Sequence, residues 1–253
     1  MHTPDLIVLL ALVAGAAASA HWKKLTPMAA LTGALIGAAV YIGDSYRGLA
    51  LLALFFLSGT IATSWKKKEK RFLKGNAAHQ STRNTGQVIA NGGVAAILGI
   101  LAFFFRDHKE LYSLMLAASL SSAAGDTLSS ELGMIYGRRH INILTGKPDE
   151  RGDDGVISIE GLLIGLAGSA IIALVWVALR THPGSAVLET IGPGISPVRA
   201  LCIITLAGLL GNLADSLLGA TLERKGFFSN DVVNFCNTAF AALCAAALMG
   251  FVS

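Results

Sequence analysis

Eight apolar stretches follow one another along the 253-residue chain, and each is about as long as a membrane-spanning helix. A helix needs about 20 mainly apolar residues to cross a hydrocarbon layer of about 30 Å. With 53% hydrophobic and only 14% charged residues, the chain does not fit a water-soluble fold. The sequence predicts an all-α, polytopic transmembrane bundle with helices at 5–22, 25–43, 47–65, 87–105, 110–136, 157–180, 197–221 and 231–252.

These stretches form one integral membrane domain over residues 1–253, with three helices in 1–65 and the motif-bearing helices in 66–253. Residues 6–18, followed by small residues, resemble the core of a signal peptide. No Lys or Arg precedes that core, so we expect a retained first helix and not a cleaved signal.

The basic residues are distributed unevenly between the two sets of alternating loops. Loops 22–26, 66–86, 137–156 and 222–230 hold fifteen of the twenty Lys and Arg residues. Positively charged loops stay on the cytoplasmic side, so these four loops are predicted inside and both termini outside. The net charge of +4 therefore reflects topology and does not predict a nucleic-acid partner.

Three carboxylates interrupt the predicted helices: Asp126, Glu131 and Asp215. A charged side chain inside a membrane costs a few kcal/mol even on the mildest scale, so it is usually paired, hydrated or bound to a cation. At about 1.5 Å per residue, the three lie roughly 8 to 15 Å from the cytoplasmic ends of their helices. All three are therefore expected in the inner half of the membrane.

Asp126 and Glu131 are separated by about 140° around a straight helix. They cannot both face one neighbour. Two arrangements remain open, a site between several helices or a helix broken near Gly125 or Gly133, where unwound backbone would line a polar cavity.

Polar and small residues form matching stripes around two of these carboxylates. The stripes predict either close helix association or a polar seam for a ligand, and two buried Asp side chains favour the ligand. Residues 124–128 also resemble residues 213–217, which suggests a parallel duplicated hairpin, although chance similarity is an alternative. The stripes are Ser122, Asp126, Ser129 and Gly133 in one helix and Gly208, Asn212, Asp215 and Gly219 in the other.

Amides and an acid open two further helices at the same predicted side of the membrane. Asn91 follows the start of one helix, whereas Asn230, Asp231 and Asn234 open the last one. Asn and Asp favour N-caps, which is the simpler interpretation of Asn230 and Asp231. Capping does not account for Asn234 and Asn237, which lie more than a turn inside an apolar helix.

The loop 137–156 combines Arg138, Arg139 and Lys147 with four acidic residues. Taken alone it is an ordinary solvated loop, and its Gly-Lys pair lacks the spacing of a Walker A motif. Beside buried carboxylates, basic side chains of this kind can hold a phosphorylated substrate while Asp residues hold Mg²⁺.

Five short motifs in order resemble the membrane family catalogued as domain of unknown function 92, which includes plant phytyl-phosphate kinase and animal transmembrane protein 19. The resemblance spans about residues 65–252. One segment departs from the family pattern, because Asp153 and Asp154 replace small hydroxyl residues and weaken the case for a direct phosphate contact there. The motifs are residues 87–94, 124–127 with 130–133, 143–147, 215–221 and 230–234.

The resemblance implies phosphoryl transfer from a nucleoside triphosphate, CTP in particular, to an isoprenyl monophosphate in the membrane lipid, with Mg²⁺ as cofactor and the site facing the cytoplasm. Asp126 and Asp215 would be catalytic, metal-linked carboxylates, with Glu131 and Asp231 as further ligands or water-positioning groups. Substrate contacts would come from Arg83, Asn91, Arg138, Arg139, Lys147, Asn212, Ser216, Asn230 and Asn234.

Two other functions use the same residue types. A transporter would bind a coupling ion with intramembrane Asp and Asn, but it predicts polar residues in both halves of the membrane. No carboxylate interrupts 93–106 or 161–180, which favours a one-sided enzyme site. A CTP-dependent lipid nucleotidyltransferase would release pyrophosphate instead of CDP.

Overall fold

The computed structural model describes residues 3–73, 82–181 and 195–250, and it confirms an all-α membrane bundle. Five of the described helices, α2, α4, α6, α7 and α8, are long and apolar enough to cross a membrane. The helices are α1 (Thr3–His21), α2 (Pro27–Ser64), α3 (Lys67–Leu73), α4 (Thr85–Phe104), α5 (Lys109–Tyr136), α6 (Ile159–Thr181), α7 (Pro197–Leu218) and α8 (Asn230–Gly250).

Helix α2 is a hairpin of two arms, which correspond to the predicted helices 25–43 and 47–65. Its backbone is helical except at Ser45, where φ is 57° and ψ is −146°. The two ends of α2 meet, because Lys24 Nζ donates to Ser64 Oγ at 3.0 Å. Gly48 packs against Val40, so the arms are in contact beside the turn.

Polar residues fix where several helices begin. Thr26 caps α2, Ser196 caps α7 and Asn84 caps α4, each accepting a hydrogen bond from a backbone N–H of the first turn. In α4 the Gln87 side chain in turn accepts a hydrogen bond from the Asn84 backbone N–H, which completes a capping box. This box sets the start of the helix that carries Asn91.

Helix α5 is the centre of the bundle and contacts α2, α4, α6, α7 and α8. Its contact with α6 depends on paired glycines, because a Cβ on Gly133 would lie 2.8 Å from the Gly161 Cα. Helices α5 and α7 lie side by side and run parallel, since Ser121 lies beside Gly208 and Ser129 lies beside Asn212. The predicted parallel arrangement of these helices is therefore present, and their origin by duplication stays a prediction.

Two connections that the sequence predicted as polar loops contain structure. The short helix α3 follows α2, and the strands β1 (Ile141–Asn142) and β2 (Val156–Ile157) pair in antiparallel register between α5 and α6. We call residues 137–158 the capping loop, because they cover one end of α5. Gly155 has φ of +74° and packs against Ala220 in a π-helical turn, Gly219–Glu223, that continues α7.

Candidate functional site

A cavity of about 450 Å³ opens at the end of the bundle where the capping loop lies, which we call the site end. Its wall is formed by α4, α5, α6, α7, α8, the π-helical turn and the capping loop. Of the predicted site residues, the lining contains Arg83, Asn91, Asp126, Glu131, Asp215, Ser216, Asn230 and Asn234. Residues from four of the five sequence motifs thus meet at one end of an apolar bundle, and residues 143–147 do not line the cavity.

The carboxyl groups of Asp126 and Asp215 lie close together in the cavity lining. Asp126 lies on α5 and Asp215 on α7, and the two side chains are in hydrogen-bonding contact. Helix α5 is unbroken from Lys109 to Tyr136, so the alternative of a broken helix is wrong. Two carboxylates in contact repel each other unless a proton or a cation lies between them.

Asp215 has a second partner that the sequence did not assign. Asn237 Nδ2 on α8 donates to Asp215 Oδ1 at 2.6 Å. Asn237 Oδ1 in turn accepts a hydrogen bond from Ser122 Oγ at 3.0 Å, and Ser122 and Asn237 are both fully buried. The Asp215 carboxylate is therefore held from three helices.

Glu131 pairs with Lys70, whereas the partner of Asp126 is Asp215. Its Oε2 accepts a hydrogen bond at 2.6 Å from Lys70 Nζ, and the Lys70 side chain on α3 is 0% exposed while Glu131 is 15% exposed. Lys70 Nζ also donates to the Ala62 carbonyl at 2.6 Å. Glu131 lines the cavity, but a buried ammonium already balances much of its charge.

Arg83 contributes a cation to the same wall. Its guanidinium lies 5.4 Å from the ring centroid of Phe55 and 6.0 Å from that of Phe56. Burial lowers the pKa of the Arg83 guanidinium and nearby Glu131 opposes that shift, but a guanidinium remains charged at neutral pH. Arg83 is thus a half-buried, charged donor that lies near Glu131 in the cavity wall.

The predicted amides differ in their placement. Asn91 Nδ2 donates to the Gln87 carbonyl, whereas its Oδ1 is buried and has no hydrogen-bond partner among the described residues. Asn234 Nδ2 donates to the Asn230 carbonyl and side chain. Asn212 lies outside the lining, in the contact between α5, α6 and α7, where its Oδ1 accepts from Ser129 Oγ at 3.5 Å.

The basic residues of the capping loop do not line the cavity. Arg138, Arg139 and Lys147 are exposed, and the Arg138 side chain is 90% exposed. From this loop His140 and the acidic pair Asp153 and Asp154 line the cavity instead. The structure therefore does not place these three basic residues at the cavity, and their contact with phosphate stays a prediction.

Arg224 fastens the capping loop to the end of α7. It donates to the Asp154 carbonyl through Nε at 2.6 Å, and Nη1 lies 2.8 Å from Asp149 Oδ2. Hydrogen bonds from Asn142, first, and from the Glu150 backbone lower the pKa of the Asp149 carboxyl, with Arg224 adding to the effect. Asp149 is thus held as an anion opposite Arg224.

Asp231 also lies outside the cavity lining. Its carboxylate packs against Gly86 in the first turn of α4, where a negative charge is stabilised by the unpaired N–H groups of the helix. Within the described residues, no group of three His, Cys, Asp or Glu side chains is arranged to hold a metal. Asp231 therefore does not join Asp126 and Asp215 in the cavity lining, and metal binding by these residues stays a prediction.

Acidic side chains outnumber basic ones in the cavity lining. Its described lining holds six carboxylate side chains against one Arg and one His. An anionic ligand would be repelled by such a wall unless cations accompanied it. The six acidic residues are Asp126, Glu131, Asp153, Asp154, Asp215 and Glu223.

Sequence reasoning missed several residues that shape this site. Lys70 lies in a basic run that resembles a solvated segment, and its burial depends on Glu131, 61 residues away. Glu223 and Arg224 lie in a short polar connection without a motif. Asn237 was noted as an amide inside an apolar helix, but its contact with Asp215 was not predicted.

A second buried charged cluster lies at the opposite end of the bundle. Asp44 and Arg47, in the turn of α2, pair at 2.6 Å with side chains 1% and 8% exposed. Arg180 pairs with Glu110 at 3.0 Å, and both arginines lie over the Trp176 ring. The sequence did not predict this cluster, but its charges balance each other and join helix ends.

The chain has relatives in an archaeon and in a plant. An uncharacterized membrane protein of Methanocaldococcus jannaschii is 32% identical over 193 residues, which is 76% of this chain and 72% of the relative. Protein VTE6, chloroplastic, of Arabidopsis thaliana is 31% identical over 224 residues, which is 86% of this chain and 63% of the relative. Protein PGR of the same plant is 29% identical over 202 residues, which is 75% of this chain and 69% of the relative.

No solved structure matches the chain. The sequence pattern of the family described as integral membrane protein DUF92 matches residues 9–242, nearly the whole chain and every residue that lines the cavity. The chain therefore belongs to the integral membrane protein family DUF92.

Proposed function

We propose that the protein is an isoprenyl monophosphate kinase of the phytyl-phosphate type, which uses a nucleoside triphosphate, CTP in particular, and Mg²⁺. The observation that carries the proposal is the contact between Asp126 and Asp215 inside a polar cavity at one end of an apolar bundle. The resemblance to a family that includes plant phytyl-phosphate kinase supports the same chemistry, as does the relationship to the chloroplastic protein VTE6.

The residues of the cavity fit Mg²⁺. The two facing carboxylates and the unpaired Asn91 Oδ1 are oxygen donors, which Mg²⁺ prefers. Mg²⁺ is usually held by one or two carboxylates together with waters and substrate phosphates, so a protein set of two carboxylates is sufficient. Asp126 and Asp215 would hold the cation, which neutralises charge on the transferred phosphoryl group when bound.

The reaction joins two phosphates that are both anionic. A terminal phosphate oxygen of the acceptor attacks the γ-phosphorus of the donor, and the bond from that phosphorus to the β,γ-bridging oxygen breaks. The products are an isoprenyl diphosphate and a nucleoside diphosphate. The acceptor phosphate carries about −1.5 to −2 charges at neutral pH, so no residue needs to remove a proton from it.

Charge neutralisation and orientation are then the main tasks of the protein. Arg83 is suited to contact phosphate oxygens, because it is the arginine of the described lining and its guanidinium is already desolvated on one side by Phe55. Asn91 and Asn234 are suited to orient the substrates. Helices that expose apolar side chains to lipid allow the isoprenoid tail to remain in the membrane while its phosphate reaches the site end.

The test is turnover by the purified full chain in detergent or nanodiscs, with phytyl or geranylgeranyl monophosphate, Mg²⁺ and each of the four nucleoside triphosphates. Products are separated and identified by mass. We expect isoprenyl diphosphate and CDP. Asp215→Asn should abolish turnover without unfolding the protein, and Asp107→Asn, an exposed carboxylate at the opposite end, is the matched control.

Each other outcome rejects the proposal in a defined way. A CDP-linked lipid with pyrophosphate would identify a nucleotidyltransferase. Absence of turnover by folded protein, together with cation-dependent flux in proteoliposomes, would identify a transporter.

A further inference from the structure

Asn237 is a fully buried amide that touches a cavity carboxylate without lining the cavity. It lies on α8, two turns from the start of the helix at Asn230. Its Nδ2 donates to Asp215 Oδ1 at 2.6 Å and its Oδ1 accepts from Ser122 Oγ at 3.0 Å. One amide thus connects α8 to α7 and to α5.

The orientation of this amide follows from its neighbours. A carboxylate oxygen accepts hydrogen bonds, so the NH₂ group of Asn237 must face Asp215. The hydroxyl of Ser122 then supplies the proton for the other side of the amide. Ser122 also lies one turn before Asp126 on α5, and the Asp126 side chain contacts Asp215. Asp215, Asn237, Ser122 and Asp126 are therefore connected in a ring.

We propose that Asn237, oriented by Ser122, is a positioning residue that holds the Asp215 carboxylate so that Asp215 and Asp126 present oxygens to one divalent cation. The inference rests on the metal site of the proposed function. Hydrogen-bond partners behind metal ligands typically change metal affinity about 10- to 100-fold when they are removed. The hydrogen bond to Oδ1 would fix the orientation of the Asp215 carboxylate.

A purely structural role for Asn237, in holding α8 against its neighbours, makes a different prediction. Thr238 provides the comparison, because it follows Asn237 on α8, is also fully buried and donates to the Ala90 carbonyl at 3.3 Å. Thr238 does not contact Asp215. Loss of helix packing alone would give Asn237 and Thr238 variants the same metal affinity.

The experiment is a titration of the purified full chain in detergent with Mn²⁺ alone, with free Mn²⁺ measured by electron paramagnetic resonance. Wild type should bind Mn²⁺ at a site that is lost in Asp215→Asn. Asn237→Leu should raise the Mn²⁺ Kd about tenfold, and Ser122→Ala should shift it in the same direction. Thr238→Val should leave the Kd unchanged.

The proposal is overturned if Asn237→Leu binds Mn²⁺ like wild type, if Thr238→Val weakens binding equally, or if wild type shows no Asp215-dependent binding. If Asn237→Leu does not fold, Ser122→Ala decides, since it removes a single hydroxyl. Failure of the proposed kinase reaction is distinguishable, because Mn²⁺ binding that depends on Asn237 without isoprenyl phosphate turnover would refute the kinase and leave the positioning role intact.

Discussion

The ion pair between Lys70 and Glu131 should show strong energetic coupling. The Lys70 side chain is completely buried and its ammonium contacts Glu131 Oε2 and the Ala62 carbonyl, each at 2.6 Å. Breaking a buried ion pair by removing one partner costs about 3–5 kcal/mol, because an unpaired charge remains inside. Glu131→Gln leaves the buried ammonium and should therefore reduce the free energy of unfolding by about 3–5 kcal/mol.

Lys70→Met leaves the Glu131 carboxylate unpaired with Lys70, but that carboxylate is 15% exposed and lies near Arg83. Lys70→Met should therefore reduce the free energy of unfolding by about 3 kcal/mol or less. The double variant Lys70→Met/Glu131→Gln removes both charges and should be more stable than Glu131→Gln alone. The free energies of unfolding are measured by SDS titration in mixed micelles, with Lys68→Met, exposed on the same short helix, as control.

The reasoning would be refuted if the double variant lost as much free energy of unfolding as the two single variants together. It would also be refuted by a cost for Lys70→Met no larger than that for Lys68→Met. Either result would mean that Lys70 does not form a buried pair in the membrane-embedded protein.

Three further predictions concern the capping loop and the cavity wall. Gly155→Ala should lower the free energy of unfolding by about 2 kcal/mol, and by more than Gly146→Ala, because both have positive φ but a Cβ on Gly155 alone would collide with a neighbour. Arg224→Gln removes the attachment of the loop, so hydrogen exchange in the capping loop should become faster while that in α4 stays unchanged. Arg83→Gln should reduce kcat/KM about 100-fold, because it removes a hydrogen-bond donor to a charged transition state. Arg138→Gln, which changes an exposed arginine, should leave kcat/KM unchanged. Equal effects of the two variants would contradict the role of Arg83 as a phosphate contact.

The helices could be predicted because their cause is local. Apolar stretches of membrane-spanning length specify helices one by one, and the predicted bounds of α4 to α8 differ from the observed ones by few residues. The two arms of α2 were predicted as separate helices, and the structure joins them through Ser45. Orientation in the membrane remains a prediction from the Lys and Arg distribution.

The cavity residues were predicted in part, for an energetic reason. Asp126 and Asp215 could be identified because a carboxylate inside an apolar helix costs free energy on insertion into a membrane, whichever helices pack beside it. Arg138 and Lys147 were equally plausible from sequence, since a loop sequence does not tell which of its side chains face inward. The structure leaves both exposed and turns His140 towards the cavity.

The sequence by itself determined the membrane bundle and identified Asp126 and Asp215, two carboxylates that need a partner inside a membrane. The tertiary structure alone decided the partners: Lys70 for Glu131 across 61 residues, and Asn237 for Asp215 from another helix. The physical reason is that the free-energy cost of burying a charge is set by the charged residue and by the apolar helix that carries it. Its compensation depends on which helices pack together and at what register, and no local pattern contains that information.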